Sequence, residues 1–243
     1  NKLKSNDEID AYVIFDADNV VHREFLNKMN DSINCGYEVV QGFRDTKNIC
    51  DNWLSTSYAI LYYLQSLFIN KSRFNFGMSS FLNGTGFMVK KETIDRYGYD
   101  PKTITEDIEY TAICAINGIK IAFNENAITY DEQVTDFKSS LKQRKRWSFG
   151  AIQCLKNYTG SLIKEGIKNK RFECFDVIIF YFGIIFHVLF TIVSLIGIFY
   201  NVFYLNNFNS MDVVIYFIMF LINYFIGVVF RMIVIKKCNK SIK

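Results

Sequence analysis

Ala11-Tyr12-Val13-Ile14-Phe15-Asp16-Ala17-Asp18 decides how the chain reads: an unbroken apolar run stops at two carboxylates. A short run of this composition is the pattern of a buried strand. Its acidic end stands where open α/β sheets bind ligands, beyond the carboxyl ends of the strands. Outward from it the period changes. Phe25, Met29 and Ile33 recur every fourth residue, as one face of a helix does, and Gly36 follows as a stop. Tyr37–Gln41 reads as a second strand, and Asp51 as the cap of a helix reaching about Ile69. Phe87–Val89 is a short strand, followed by a helical turn from Glu92. Thr103 or Thr105 can start a helix to Asn117, closed by Gly118, and Ile119–Phe123 is a further strand. A helix then carries Phe137 through Lys156. This alternation predicts an α/β layer over residues 1–150.

The 243 residues are 50% hydrophobic and 17% aromatic with a single proline, which excludes a disordered or collagen-like chain. A net charge of +4 gives no expectation of nucleic acid as a partner. The apolar content is not evenly spread. Between Val177 and Phe230 the one formally charged residue is Asp212. Residues 176–205 exceed the roughly 20 apolar positions that span a bilayer, and 212–235 hold a second run, Val213–Phe230, that extends past Arg231. Asn206–Met211 joins them, so a transmembrane hairpin is predicted. Lys164, Lys168, Lys170 and Arg171 precede it, and Lys236, Lys237, Lys240 and Lys243 follow. The positive-inside rule then puts both flanks, and the part before residue 175, in the cytoplasm of a multi-pass membrane protein. Residues 151–175 read as an interfacial amphipathic segment against the lipid bilayer. The six cysteines show no CxxC spacing and read as reduced thiols in the core or facing lipid.

Four constellations carry chemistry. Asp16 and Asp18, two residues apart in a turn, can offer oxygens to one hard cation, Mg or Mn. Glu106 and Asp107 follow Thr105. Acids in a first helical turn suit the helix dipole, and a carboxylate there can also act as a general base towards an attacking hydroxyl. Gln143-Arg144-Lys145-Arg146-Trp147 reads as an interfacial anchor. It also reads as a diphosphate clamp through Arg146 with an indole that stacks on a sugar. In Asn83-Gly84-Thr85-Gly86 the glycines let backbone approach a ligand closely.

Taken in order, DxD at 16–18, the glycine loop, the Glu106-Asp107 pair, QxxRW at 143–147 and then apolar spans resemble the membrane-embedded family 2 glycosyltransferases. That group contains cellulose, chitin, hyaluronan and poly-N-acetylglucosamine synthases. The resemblance covers about Asp10 to Trp147. It implies a partial GT-A (Rossmann-like) catalytic domain followed by the interfacial helix and the two-helix hairpin. It implies inverting, metal-dependent transfer from a nucleotide-sugar donor, UDP-linked in most of the family, to a growing polysaccharide. A carbohydrate or glycolipid is the acceptor. Asp16 and Asp18 would hold the metal and the donor diphosphate. Asp107 would be the catalytic base with Glu106 beside it. Gln143 and Arg146 would hold the diphosphate. Trp147, Asn83, Gly84, Thr85 and Gly86 would line the acceptor.

Two departures accompany it. Val134 replaces the proline usual before QxxRW, which implies a local loop change around Asp131–Val134. The nucleobase-binding unit that family members carry before DxD is absent, so the Asn1 start reads as an N-terminal truncation, and the isolated chain is expected to bind nucleotide poorly. Three alternatives stand beside this reading. One is a non-processive lipid-acceptor transferase. Another is a haloacid-dehalogenase-like phosphatase, whose hhhDxD motif Val13–Asp18 resembles. The third is a non-catalytic membrane-anchored accessory subunit.

Overall fold

The computed structural model describes residues 9–183, together with Ile196, Met211, Val214 and Ile218. The chain divides into two compact units, Asn1–Tyr181 and Phe182–Lys243. The described residues of the second unit are helical. Most of the predicted spans, 176–205 and 212–235, lies outside the described residues. Among those described, no helix is long and apolar enough to cross a membrane.

The first unit is an α/β fold with a mixed five-stranded sheet flanked by helices. Its strands are β1 (Ala11–Ile14), β2 (Val20–Val21), β3 (Val39–Thr46), β4 (Phe87–Lys90) and β5 (Ile121–Asp131), in the order β1-β4-β3-β5-β2. Strands β3 and β5 pair in parallel, and every other pair is antiparallel. The alternating pattern therefore holds for β1, β3 and β5, which run the same way. It missed the reversal of β4, which is wedged between β1 and β3. The cause lies in the extended segment before β4. It leaves the start of β5, where Ser80 N–H donates to Ile121 O at 2.9 Å. It ends at the far end of β1, where Gly86 N–H donates to Ile14 O at 2.9 Å. The chain has already crossed the sheet, so β4 must return.

Side-chain alternation along β3 sorts the two faces. Val39 packs with Phe87, Tyr110 and Ile121 under α5 (Glu106–Asn117). Its neighbour Val40 packs with Phe25 and Met29 of α1 (Phe25–Asn34) on the opposite face. Helix α2 (Trp53–Tyr63) continues through a π-helical stretch, Leu64–Asn70, into α3 (Lys71–Asn75). Its cap is Asn52 rather than Asp51. Asn52 Oδ1 accepts from the N–H groups of Leu54 and Ser55 at 3.0 Å each, closing a capping box that Asp51 is one residue too early to form. Helix α4 is Lys91–Tyr97.

Helix α6 runs from Phe137 to Asn169, well beyond Lys156. Asp136 caps it, and no proline interrupts it. Cys154 and Leu162 of α6 pack on Ala112 and Ala115 of α5, joined by Cys174, Val177 and Tyr181 from the helical residues 172–183. Two cysteines depart from expectation: Cys35 and Cys50 are exposed, because α1 ends at Asn34 and Cys50 sits in the turn before α2.

Candidate active site

The β1–β4 register builds the site. Ile14 sits opposite Phe87, so the acidic turn that follows β1 lies against the Asn83–Gly86 loop that precedes β4. Asp16 N–H donates to Thr85 Oγ1 at 3.1 Å. Thr85 O–H in turn donates to Asn19 Oδ1. Glycine is required at Gly86, where φ is 65° and a Cβ would stand 2.5 Å from Thr129 Oγ1. The loop is braced from below by Gln41, which is fully buried. Its amide nitrogen donates to Thr85 O at 2.9 Å, and its carbonyl accepts from Asn83 N–H at 3.1 Å. Asn70, placed by the π-helical stretch, pairs with both the N–H and the C=O of Phe81. Leu82 N–H donates to Thr111 Oγ1 on α5.

At the tip, Gly84 has φ 91°. A Cβ there would lie 3.5 Å from Asp107 Oδ2 and 3.6 Å from Arg44 Nη1. The loop thus passes between a carboxylate and a guanidinium, and it is the positive φ, not lack of space, that favours glycine there. Asp107 is in the first turn of α5. Glu109, nearly fully buried, holds the segment that leads into this turn. It accepts from Lys102 N–H at 2.8 Å, Thr103 N–H at 2.7 Å and Tyr158 O–H of α6. Burial pushes the Asp107 carboxyl up to about 6. Neighbouring Glu106 adds to the rise, and the Ile108 N–H and Arg44 oppose it. Asp16 is also raised, by burial first and by Asp131, Asp18 and Glu106, against the pull of Arg44.

Carboxylate oxygens of Asp16, Asp18 and Asp131 lie within 4.8 Å of one another. Three hard oxygen donors at that spacing fit Mg²⁺ or Mn²⁺. The three are unequal. Asp131 already accepts from Asn19, Arg44, Gln133 and the Glu132 N–H. These occupy the roughly four lone-pair positions a carboxylate has. Asp16 and Asp18 are exposed, and their lone pairs are the ones open to a cation.

The structure therefore brings together Asp16, Asp18, Asn83–Gly86 and Asp107, with Glu106 alongside. Gln143 and Trp147 lie one turn apart on α6. Trp147 meets Tyr58 of α2 edge-on at 6.0 Å, within a cluster with Leu54, Tyr62 and Val134. Arg146 is exposed. Among the described residues no hydrogen bond or ion pair joins Gln143, Arg146 or Trp147 to the carboxylates. The connection runs through α2, where Tyr62 stacks under Arg44 at 3.8 Å. Both ends of the Asn83 side-chain amide are buried and unpartnered, as is Gln143 Oε1. Buried polar atoms left this way cost about 1–3 kcal/mol each, so a ligand that bonds them gains in proportion.

Sequence reasoning missed Asn19, Gln41, Arg44 and Asp131. A glutamine and an arginine inside the apolar run of β3 were the available signal, since buried polar groups need partners. Asp131 is the last residue of β5, and the irregular segment 132–135 follows it.

Chemically, the arrangement offers a cation-binding turn, a backbone loop with open polar groups and a carboxylate of raised pKa, all at one end of the sheet. Similarity to known proteins agrees. The chain is 25% identical over 199 residues to "Probable glycosyltransferase YdaM" of Bacillus subtilis (strain 168). The match covers 72% of this chain and 44% of the relative, so the chain spans less than half the length of the protein it matches. The phosphatase alternative explains neither this similarity nor Gln143–Trp147. The model of glycosyl transferase family group 2 matches residues 12–233, and the chain belongs to that family.

Proposed function

We propose that the chain carries the acceptor-side chemistry of an inverting, metal-dependent hexosyltransferase, which moves a sugar from a nucleotide-sugar, UDP-linked by preference, onto a growing polysaccharide. The observation that carries this reading is the convergence of the Asp16–Asp18 turn, the Gly84 loop and Asp107. The acceptor hydroxyl lies along Asn83–Gly86 and gives its proton to Asp107 as its oxygen attacks the anomeric carbon. The bond from that carbon to the diphosphate breaks, and its electron pair leaves on the nucleoside diphosphate. One displacement inverts the configuration. Asp16 and Asp18 hold Mg²⁺ or Mn²⁺, which supplies positive charge beside the leaving diphosphate. Arg146 and Gln143 contribute to diphosphate binding, and Trp147 to acceptor stacking.

Incubation of the full-length protein with labelled UDP-glucose or UDP-N-acetylglucosamine should release nucleoside diphosphate and lengthen a polymer, whereas the isolated 243-residue chain should do so poorly. Addition of a single sugar to a lipid would instead favour the glycolipid-acceptor form. Release of diphosphate from none of a panel of UDP- and GDP-sugars would refute the reading. Chelation should remove more than about 90% of the activity, with recovery on adding Mg²⁺ or Mn²⁺, because the carboxylates cannot by themselves neutralise a diphosphate.

The membrane part of the reading rests on the apolar runs 176–205 and 212–235, with the catalytic unit on the cytoplasmic side. An exposed stripe on α6 supports it: Phe137, Leu141, Phe149, Ile152, Ile163 and Ile167, interleaved with Lys145 and Lys156. Such a face suits a headgroup boundary. The protein is expected to stay with the membrane fraction after alkaline carbonate washing. Its release into the supernatant would exclude the hairpin.

A further inference from the structure

Arg44 is 7% exposed and lies among carboxylates. Its Nε donates to Asp131 Oδ2 at 2.9 Å, its Nη2 donates to the same oxygen, and its Nη1 donates to Asn83 O. Tyr62 covers its face. The bonds continue without a break. Asn19 Nδ2 donates to Asp131 Oδ1 at 3.0 Å, and Asn19 Oδ1 accepts from Thr85 O–H and from Asp16 N–H. One chain of contacts thus runs from the loop beside Asp107, through Arg44 and Asp131, to the Asp16–Asp18 turn. A buried ion pair of this kind is poor evidence for stability, because desolvation offsets most of its attraction and apolar replacements are often neutral. Its distinctive property is geometric. The planar fork of Arg44 ties β3 to the end of β5 and to the loop before β4.

We infer that Arg44 and Asp131 form a buried strut setting the spacing between the Asp16–Asp18 turn and the base at Asp107, which makes Arg44 a positioning residue for sugar transfer. The inference rests on the assignment of Asp107 as base and of Asp16 and Asp18 as the donor site. Arg44 touches neither donor nor acceptor in it. It acts through Asn83 O on one side and Asn19 on the other.

The test is a coupled kinetic comparison. Arg44→Lys keeps the charge and loses the fork, and Asp131→Asn keeps Oδ1 for Asn19 and loses the charge. Each is expected to lower kcat by about 10- to 100-fold, the scale of a small misplacement of reacting groups, with donor KM within about 3-fold of the parent. The double variant should be no slower than the worse single variant, because both break the same strut. Multiplied losses, or an unchanged kcat in either single variant, would overturn the inference. Where Arg44→Lys does not fold, Asn19→Ala decides. It cuts the chain of contacts in a partly exposed turn, and an unchanged kcat there is equally fatal. Asp107→Asn is run alongside. If it stays active, the base assignment fails and the strut fails with it. If it is inactive while the strut variants lose activity independently, the strut alone is wrong.

Discussion

Asp107→Asn is expected to reduce sugar transfer by about 10²- to 10⁴-fold, the range that a positioned general base supplies. Asparagine keeps the shape of the side chain and its place beside Gly84, so donor binding should persist while turnover is lost. The pH profile gives an independent check. With its carboxyl held at about 6, Asp107 is deprotonated and able to accept a proton above that pH, and protonated below it. Activity should therefore be full above about pH 7 and fall through 6 on an acidic limb. An ordinary aspartate would delay that fall to about pH 4. Glu106→Gln removes a like charge and should move the limb to lower pH. Among the other groups with an electrostatic connection to Asp107, Arg44 works in the same direction as that substitution, and Tyr99, Tyr62 and Cys154 are neutral throughout the range. A profile with its limb near pH 4, or Asp107→Asn with parental kcat, would remove Asp107 from the mechanism.

Gly42→Ala is expected to destabilise the unit strongly through a single methyl. A Cβ at Gly42 would lie 2.5 Å from Ala127 O, 2.9 Å from Gly86 O and 2.9 Å from the Met29 methyl. Met29 can move aside. The two carbonyls cannot, because they belong to β5 and to the loop whose bond from Gly42 N–H to Gly86 O, at 2.9 Å, ties β3 to the site. Overpacking against fixed backbone costs about 3 kcal/mol, at the upper end of such insertions. In a unit of this size that lowers Tm by about 6–12 °C. Thermal unfolding followed by circular dichroism measures it. The β3–β5 irregularity lies at Gly42/Phe43, so the variant should also displace Arg44 and lose activity at temperatures where it remains folded. A Tm within 2 °C of the parent, the scale of about 1 kcal/mol or less, would show that the strands part more easily than their contacts indicate.

The parts of the site that were legible in the sequence are those set by local pattern. The end of β1 announced itself because an apolar run met Asp16 and Asp18. The 83–86 loop did so because two glycines stood close together, and both adopt positive φ. Asp107 was legible as a first-turn acid of α5. The remainder depends on which strands become neighbours. Arg44 and Asp131 are 87 residues apart and meet only because β3 and β5 pair in parallel, with Thr46 opposite Asp131. Asn19 joins them through β2, a two-residue strand too short to show periodicity. The reversal of β4 was hidden for a similar reason. Strand propensity carries no direction, and the extended segment that fixes it has no regular pattern of its own. Helix α6 runs past the expected end at Lys156 to Asn169, and the glycines within it do not break it. Gly150 packs its bare backbone against Thr105, beside Glu106 and Asp107.

The brace under the 79–86 loop bears on the timing of recognition. The amides of Ser80, Phe81, Leu82, Asn83 and Gly86 all have partners within the fold, so their exchange with deuterated solvent should be slow before any sugar is present. A segment ordered in advance has already lost the roughly 1–2 kcal/mol of backbone freedom per residue that a floppy loop would lose at encounter. Arrival of the acceptor should then leave the deuterium uptake of these amides nearly unchanged. Selectivity in this loop would come from a shape that already exists, not from one the sugar induces.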